Sequence, residues 1–168
     1  MIDLVAIDPG NKGESGECAV AVFDKRVLIS VHFQRFDDVH AGTFGVHAVV
    51  CLEVPEIYPG GHQRPNDIVK LGIAGALLAG AMRPRELILL TPHQWKGNQA
   101  KPVCHHFLWQ QLTAEERKLF PKGTGERIAK GIADNAPRMY AQPLKNYGFK
   151  ANNLLDAAAI GAKHLGRI

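Results

Sequence analysis

Ile2-Asp3-Leu4-Val5-Ala6-Ile7-Asp8-Pro9-Gly10 is the stretch on which the fold turns. The unbroken apolar run from Leu4 to Ile7 suits a strand covered on both faces, as in a mixed α/β sheet. Asp8 puts a carboxylate at the end of that strand. Pro9-Gly10 then stops the ladder and turns the chain. Loops and metals gather at the carboxyl ends of central strands, which makes Asp8 a candidate site residue. Asp-Pro-Gly is equally ordinary turn chemistry, with the aspartate bonding its own backbone. On this stretch alone both readings stand.

Working outward, Glu17 to Phe23 reads as a second strand, Asp24-Lys25 as a turn, and Val27 to Phe33 as a third strand with apolar residues at alternate positions. Short turns between them predict an antiparallel meander. The polar, glycine-rich loop Asn11 to Gly16 follows Asp8 and can approach a ligand backbone closely. A fourth strand is predicted over His47 to Val54, apolar except for Glu53. Asn66-Asp67 can cap a helix running to about Met82, bounded by Pro65 and by Arg83-Pro84. Its glycines and alanines read as a buried crossover helix. The strand Glu86 to Leu90 follows, and a crossover of this length implies a parallel pair. The expected architecture is thus α/β, with a five-stranded mixed sheet of three antiparallel and then parallel strands flanked by helices.

The chain has 168 residues, 46% of them hydrophobic and 21% charged, which fits a single domain over 1–168 with a sizeable core. No stretch is long enough to span a bilayer, and no basic region precedes an apolar core at the N-terminus, so a cytoplasmic protein without a membrane partner is expected. Cys18, Cys51 and Cys104 are an odd number without metal-type spacing and read as reduced thiols. The net charge is +4, but residues 96–150 carry ten basic and four acidic residues while the remainder carries ten basic and twelve acidic. A basic face beside a local acidic site is the arrangement a metal-using nuclease needs; a solvated basic surface is the plainer reading.

After Thr91 the chain is predicted to form helices near Val103 to Leu112 and Thr113 to Phe120, the latter opened by a capping box of Thr113 and Glu116. Residues 122–147 give no clear pattern. Cys104-His105-His106 does not read as a metal site, because adjacent helical positions point in different directions. The last helix spans Asn152 to about Gly166, capped by Asn152 or its predecessor. Asp156 interrupts its apolar sequence, with Asn152 and Asn153 on roughly the same face.

Three acids therefore stand where an apolar context makes them expensive: Asp8, Glu53 and Asp156. Brought together without a counter-charge, they would repel, and at least one would stay protonated. A hard divalent cation, magnesium or manganese, resolves that conflict with oxygen ligands.

Ile7-Asp8-Pro9-Gly10, Leu52-Glu53-Val54-Pro55 and Asn153-Leu154-Leu155-Asp156-Ala157-Ala158-Ala159-Ile160 with His164 resemble the RuvC family of Holliday-junction resolvases. Tyr58-Pro59-Gly60-Gly61, Pro65-Asn66-Asp67-Ile68 and Trp95-Lys96-Gly97 are similar to its phage-type members. The resemblance implies an RNase H-like fold, a homodimer acting on four-way DNA junctions, and Asp8, Glu53 and Asp156 as catalytic, metal-binding acids. The family usually has Asp or His three residues before the helix acid. Here that position is Asn153, a neutral ligand, with Glu56 a substitute from a loop. Glu56 also stands where bacterial members carry an aromatic wedge, and Tyr58 is the nearby alternative. Lys12, Tyr58, Trp95, Lys96, Lys101, Lys122, Arg127 and Lys130 are the expected DNA contacts. The rival readings are a same-fold nuclease for a flap or an RNA–DNA hybrid, a non-catalytic protein binding branched DNA, and, least favoured, an actin-like nucleotide-binding domain.

Overall fold

The structure, a computed structural model, describes residues 2–10, 16–41, 43–44, 48–56, 65–135 and 151–168. The strands are β1 (Leu4–Asp8), β2 (Glu17–Asp24), β3 (Val27–Arg35), β4 (Val49–Glu53) and β5 (Glu86–Leu90). They form one sheet in the order β3-β2-β1-β4-β5. β1–β2 and β2–β3 are antiparallel, and β1–β4 and β4–β5 are parallel. This is the five-stranded mixed sheet that the sequence pattern predicts, with β1 at its centre. Lys25 and Arg26 take positive φ (46° and 70°) in the tight turn between β2 and β3.

Alternation divides the sheet residues between two cores. Leu4, Ala6, Ala19, Ala21, Phe23, Val49 and Cys51 face one side, under α6 (Asn152–His164) and α3 (Lys101–Gln111). Val5, Ile7, Cys18, Val20, Val22, Val50 and Leu52 face the other, where α1 (Pro65–Met82) contributes Leu78 and Met82. The small residues of α6 let it lie close on the sheet. A side chain at Gly161 would collide with the ring of Phe23, so only glycine fits there. The three cysteines are free and buried.

α1 departs from expectation. Only Gly75, Leu78 and Met82 are buried, while Val69, Ile73 and Leu77 are 58%, 55% and 69% exposed. Gly75 does permit the close approach, its missing Cβ leaving room for Leu52 at 3.3 Å. Glycine and alanine lower the bulk on one face but do not bury the opposite one, so the helix is a one-sided cover rather than a buried crossover. α2 (Pro92–Lys96) and α4 (Ala114–Lys118) both begin with reciprocal capping boxes, at Thr91 with Gln94 and at Thr113 with Glu116. α5 (Thr124–Asn135) occupies part of the stretch that carries no clear sequence pattern. At the start of α6 the cap is Ala151, without a side-chain cap bond, rather than Asn152. Among the described residues, no helix is long and apolar enough to cross a membrane.

Candidate functional site

Sheet register decides where the acids go. β1 and β4 run parallel, with Ile7 opposite Leu52, so Asp8 and Glu53 stand one step further on, side by side at the carboxyl ends of neighbouring strands. Leu4 and Ala6 face the α6 side, and Val49 and Cys51 do the same. Period-two alternation carries Asp8 and Glu53 to that face. Asp156, 1% exposed on α6, comes to meet them there. Side chains 45 and 103 positions apart in sequence are thereby brought within electrostatic reach of each other.

Asp8 serves its turn as well. The Gly10 N–H donates to Asp8 Oδ1 at 2.8 Å, and Gly10 adopts φ 71°, so the turn and site readings of Asp-Pro-Gly hold together. Burial, and next the charge of Asp156, push the Asp8 carboxyl up to about 7. Burial followed by Asp8 and Asp156 push Glu53 up to about 8. Glu53 Oε2 accepts the indole N–H of Trp95 at 2.9 Å. The sequence reading expected Trp95 at DNA; the structure instead buries its ring, where it braces this acid.

Asp156 is in a different state. Lys101 Nζ donates to its Oδ2 at 2.5 Å, and His105 Nε2 lies 2.7 Å from its Oδ1. Burial favours the neutral acid, but Lys101 and then His105 outweigh it and hold the carboxyl well below the usual range. Burial draws the Lys101 ammonium downward, and Asp156, Asp8 and Glu53 reverse this, so it stays charged. Lys101, expected at a phosphate, therefore points inward onto Asp156. Lys96 lies over the Trp95 ring at 5.7 Å, and burial followed by repulsion from Lys101 lowers its ammonium. His105, 0% exposed, is lowered by burial despite Asp156.

His105 is the residue that sequence reasoning missed. Adjacent residues do diverge on a helix, but Lys101 and His105 are separated by four positions and share a face of α3. That spacing was the available signal. Asn153 lies by the Asp8 turn, its Nδ2 at 3.3 Å from where a Gly10 Cβ would stand. Glu56 Oε2 accepts the His93 N–H of α2 at 3.1 Å. Lys122, Arg127 and Lys130 are exposed on or just before α5, and Lys122 lines a cleft with Trp109, Arg117, Lys118 and Phe120. Lys12 and Tyr58 lie outside the described residues.

The donor chemistry fits a hard cation at two of the three acids. Asp8 and Glu53 are desolvated carboxyls whose negative charge the pocket does not fully compensate. Both oxygens of Asp156 are engaged by Lys101 and His105, and among the described residues no set of three or more acidic, histidine or cysteine side chains is arranged around a common ion position.

No protein-family model and no curated protein matches the chain. Among solved structures, Thermus thermophilus RuvC in complex with a Holliday junction substrate is similar over 98% of this chain and 92% of that one, at 14% identity and a TM-score of 0.45.

Proposed function

We propose that this chain is a divalent-metal-dependent endonuclease of branched DNA, with four-way junctions as its substrate. The approach of Asp8, Glu53 and Asp156 on one face of the sheet, beside Lys96 and Lys101, carries this reading. Asp8 and Glu53 would hold magnesium (or manganese), with the amide oxygen of Asn153 as a neutral neighbour and Asp156 joining when its oxygens are released. A bound ion supplies an activated water and stabilises charge on the scissile phosphate. Trp95 fixes the orientation of Glu53, and the Gly10 N–H fixes that of Asp8. Lys96 would meet a phosphate by leaving the Trp95 ring, and Lys122, Arg127 and Lys130, exposed on or just before α5, would add cationic contacts.

The reading includes a homodimer, since a four-way junction offers two opposed strands. The apolar stripe Val69, Ile73 and Leu77 on α1, with Leu87 (40% exposed) and Leu89 (50%) on the edge strand β5, supports it. One observation favours a second reading, branched-DNA binding without cleavage: the full engagement of Asp156 by Lys101 and His105.

Incubation of native protein and Asp8→Asn with labelled four-way junction, flap and RNA–DNA hybrid in magnesium separates these readings. Paired nicks in the junction, lost by at least ~10²-fold in Asp8→Asn while junction binding persists, are expected. Preferential cutting of flap or hybrid selects a same-fold nuclease of other substrate. Tight junction binding without nicking selects the non-catalytic reading.

A further inference from the structure

α4 ends on Arg117 and Lys118, and Lys122 follows before α5 begins. The ends of α3, α4 and α5 meet at this corner and leave a cleft of about 730 Å³, whose walls include Trp109, Arg117, Phe120, Lys122 and Glu126. The cleft lies apart from the three acids. Trp109 stands eight positions after Lys101, the first residue of α3, or ~12 Å further along that helix.

Arg117 has a local task. Its Nε donates to the Trp109 carbonyl at 2.9 Å and its Nη2 to the Gln110 carbonyl at 3.4 Å, covering open carbonyls at the end of α3. These bonds use two of the five guanidinium N–H donors. No carboxylate among the described residues pairs with Arg117 or Lys122, whereas Lys118 is engaged by Glu115 at 2.6 Å. Capping explains what holds Arg117, but not why a part-buried charge faces a cleft without a counter-ion. The cleft is also preorganised. The guanidinium lies over the Trp109 ring at 5.7 Å, and Trp109 meets Phe120 edge to face at 5.7 Å. Gly125 lets α5 close on the indole, since a Cβ there would come within 3.1 Å of its Nε1. An arginine pinned by two carbonyls and a ring loses little further freedom on meeting an anion.

We propose that this cleft seats a backbone phosphate of the bound DNA, away from the bond that is cut, with Arg117 as its fixed anchor and Lys122 as its flexible arm. The unused edge of the guanidinium matches the oxygens of a phosphodiester. The surroundings favour a polyanion over a lone anion. Residues 96–150 carry ten basic and four acidic residues, and the exposed Lys130 lies one turn beyond Glu126, the acid of the wall, on the same face of α5. The seat rests on the DNA-binding reading above and needs no metal.

The test measures binding of a labelled four-way junction by anisotropy in a chelating buffer, between ~50 and ~200 mM salt. It compares native protein with Arg117→Gln, Lys122→Gln, the double variant, Arg117→Lys and Lys70→Gln, the last an exposed position on α1 across the sheet. The slope of log K against log salt should shrink by ~0.9 in each single Gln variant at the cleft and by ~1.8 in the double variant. Arg117→Lys keeps the charge and should keep the native slope, as should Lys70→Gln, which removes the same charge elsewhere. Native slopes in both Arg117→Gln and Lys122→Gln overturn the seat, and so does an equal loss in Lys70→Gln, which would make the effect one of net charge alone. Should Arg117→Gln fail to fold, as judged by Tm, the exposed Lys122→Gln decides by itself. A parallel titration with inorganic phosphate, read by calorimetry, separates the sources. Phosphate binding that Arg117→Gln abolishes, with junction slopes unchanged, marks a site for free phosphate and overturns the DNA seat. A flat salt response in native protein instead removes the DNA-binding reading itself, whereas a steep native response that the cleft variants leave untouched removes only the seat.

Discussion

Asp8→Asn should make the metal-free protein more stable at neutral to alkaline pH, even though it removes an acid assigned to the chemistry. Asp8 is 7% exposed, and its carboxyl is raised from an ordinary 3.8 to about 7, by burial and then by Asp156. A rise of that size corresponds to ~4 kcal/mol against the charged form. Between the ordinary and the raised value, the folded protein holds a proton that the unfolded chain has released. Stability therefore falls as pH rises through that window, and the whole penalty is present above about 7. Asparagine keeps an oxygen for the Gly10 N–H and carries no charge. The native pocket softens the penalty by leaving a proton on Glu53, itself raised to about 8, and by the charge of Lys101. The expected net gain is ~2 kcal/mol at about pH 8, or ~4–8 °C in Tm for a chain of this size. The gain should shrink towards zero near pH ~4, where the native carboxyl is also neutral. Urea and thermal unfolding in a chelating buffer, from acid to alkaline pH, measures both quantities. A loss of stability at about pH 8, or a gain of equal size across the range, would refute the assignment of Asp8 as a buried, charge-frustrated acid.

Further outcomes follow from other parts of the molecule. Gly161→Ala places a methyl group against Phe23 and should cost ~1–3 kcal/mol, read as a lower urea midpoint with an unchanged slope. Arg167 grips the buried Glu116 through both terminal nitrogens, at 2.7 and 2.9 Å, and Arg167→Ala should destabilise by ~3 kcal/mol. Burial works to raise Glu116, but Arg167 and the Thr113 and Leu28 N–H groups bring it down from 4.5 to about 2. The stability this adds is present above the ordinary value and lost as pH falls through the window to about 2, so acid unfolding of native protein should be steeper there than that of Arg167→Ala. Ile73→Glu with Leu77→Glu, both on exposed positions of α1, should leave the fold intact and convert a dimer to monomers in sedimentation; a dimer that survives places the interface elsewhere.

What lay in the sequence was whatever depends on local pattern. Apolar runs and alternation marked the strands, and β5 was bounded to the residue, between Pro84 before it and Thr91-Pro92 after it. The capping box at Thr113 and Glu116 is a four-residue signal and was readable as such. Asp8, Glu53 and Asp156 stood out because charge is costly in apolar segments, wherever those segments pack. Tertiary structure alone decided which charges meet. Sequence showed Lys101 as one more cation in a basic block, and only the seating of α3 against α6 turns it onto Asp156 with His105. The same holds for Trp95, whose aromatic ring and neighbouring lysine suggest a DNA contact until packing buries it against Glu53. The exposed stripe of α1 was hidden for the converse reason: composition shows how closely a helix can approach a sheet, not how much of its circumference the sheet covers. Pattern along the chain reports each residue's own cost of burial, whereas the identity of its partner is a property of two segments that only folding brings together.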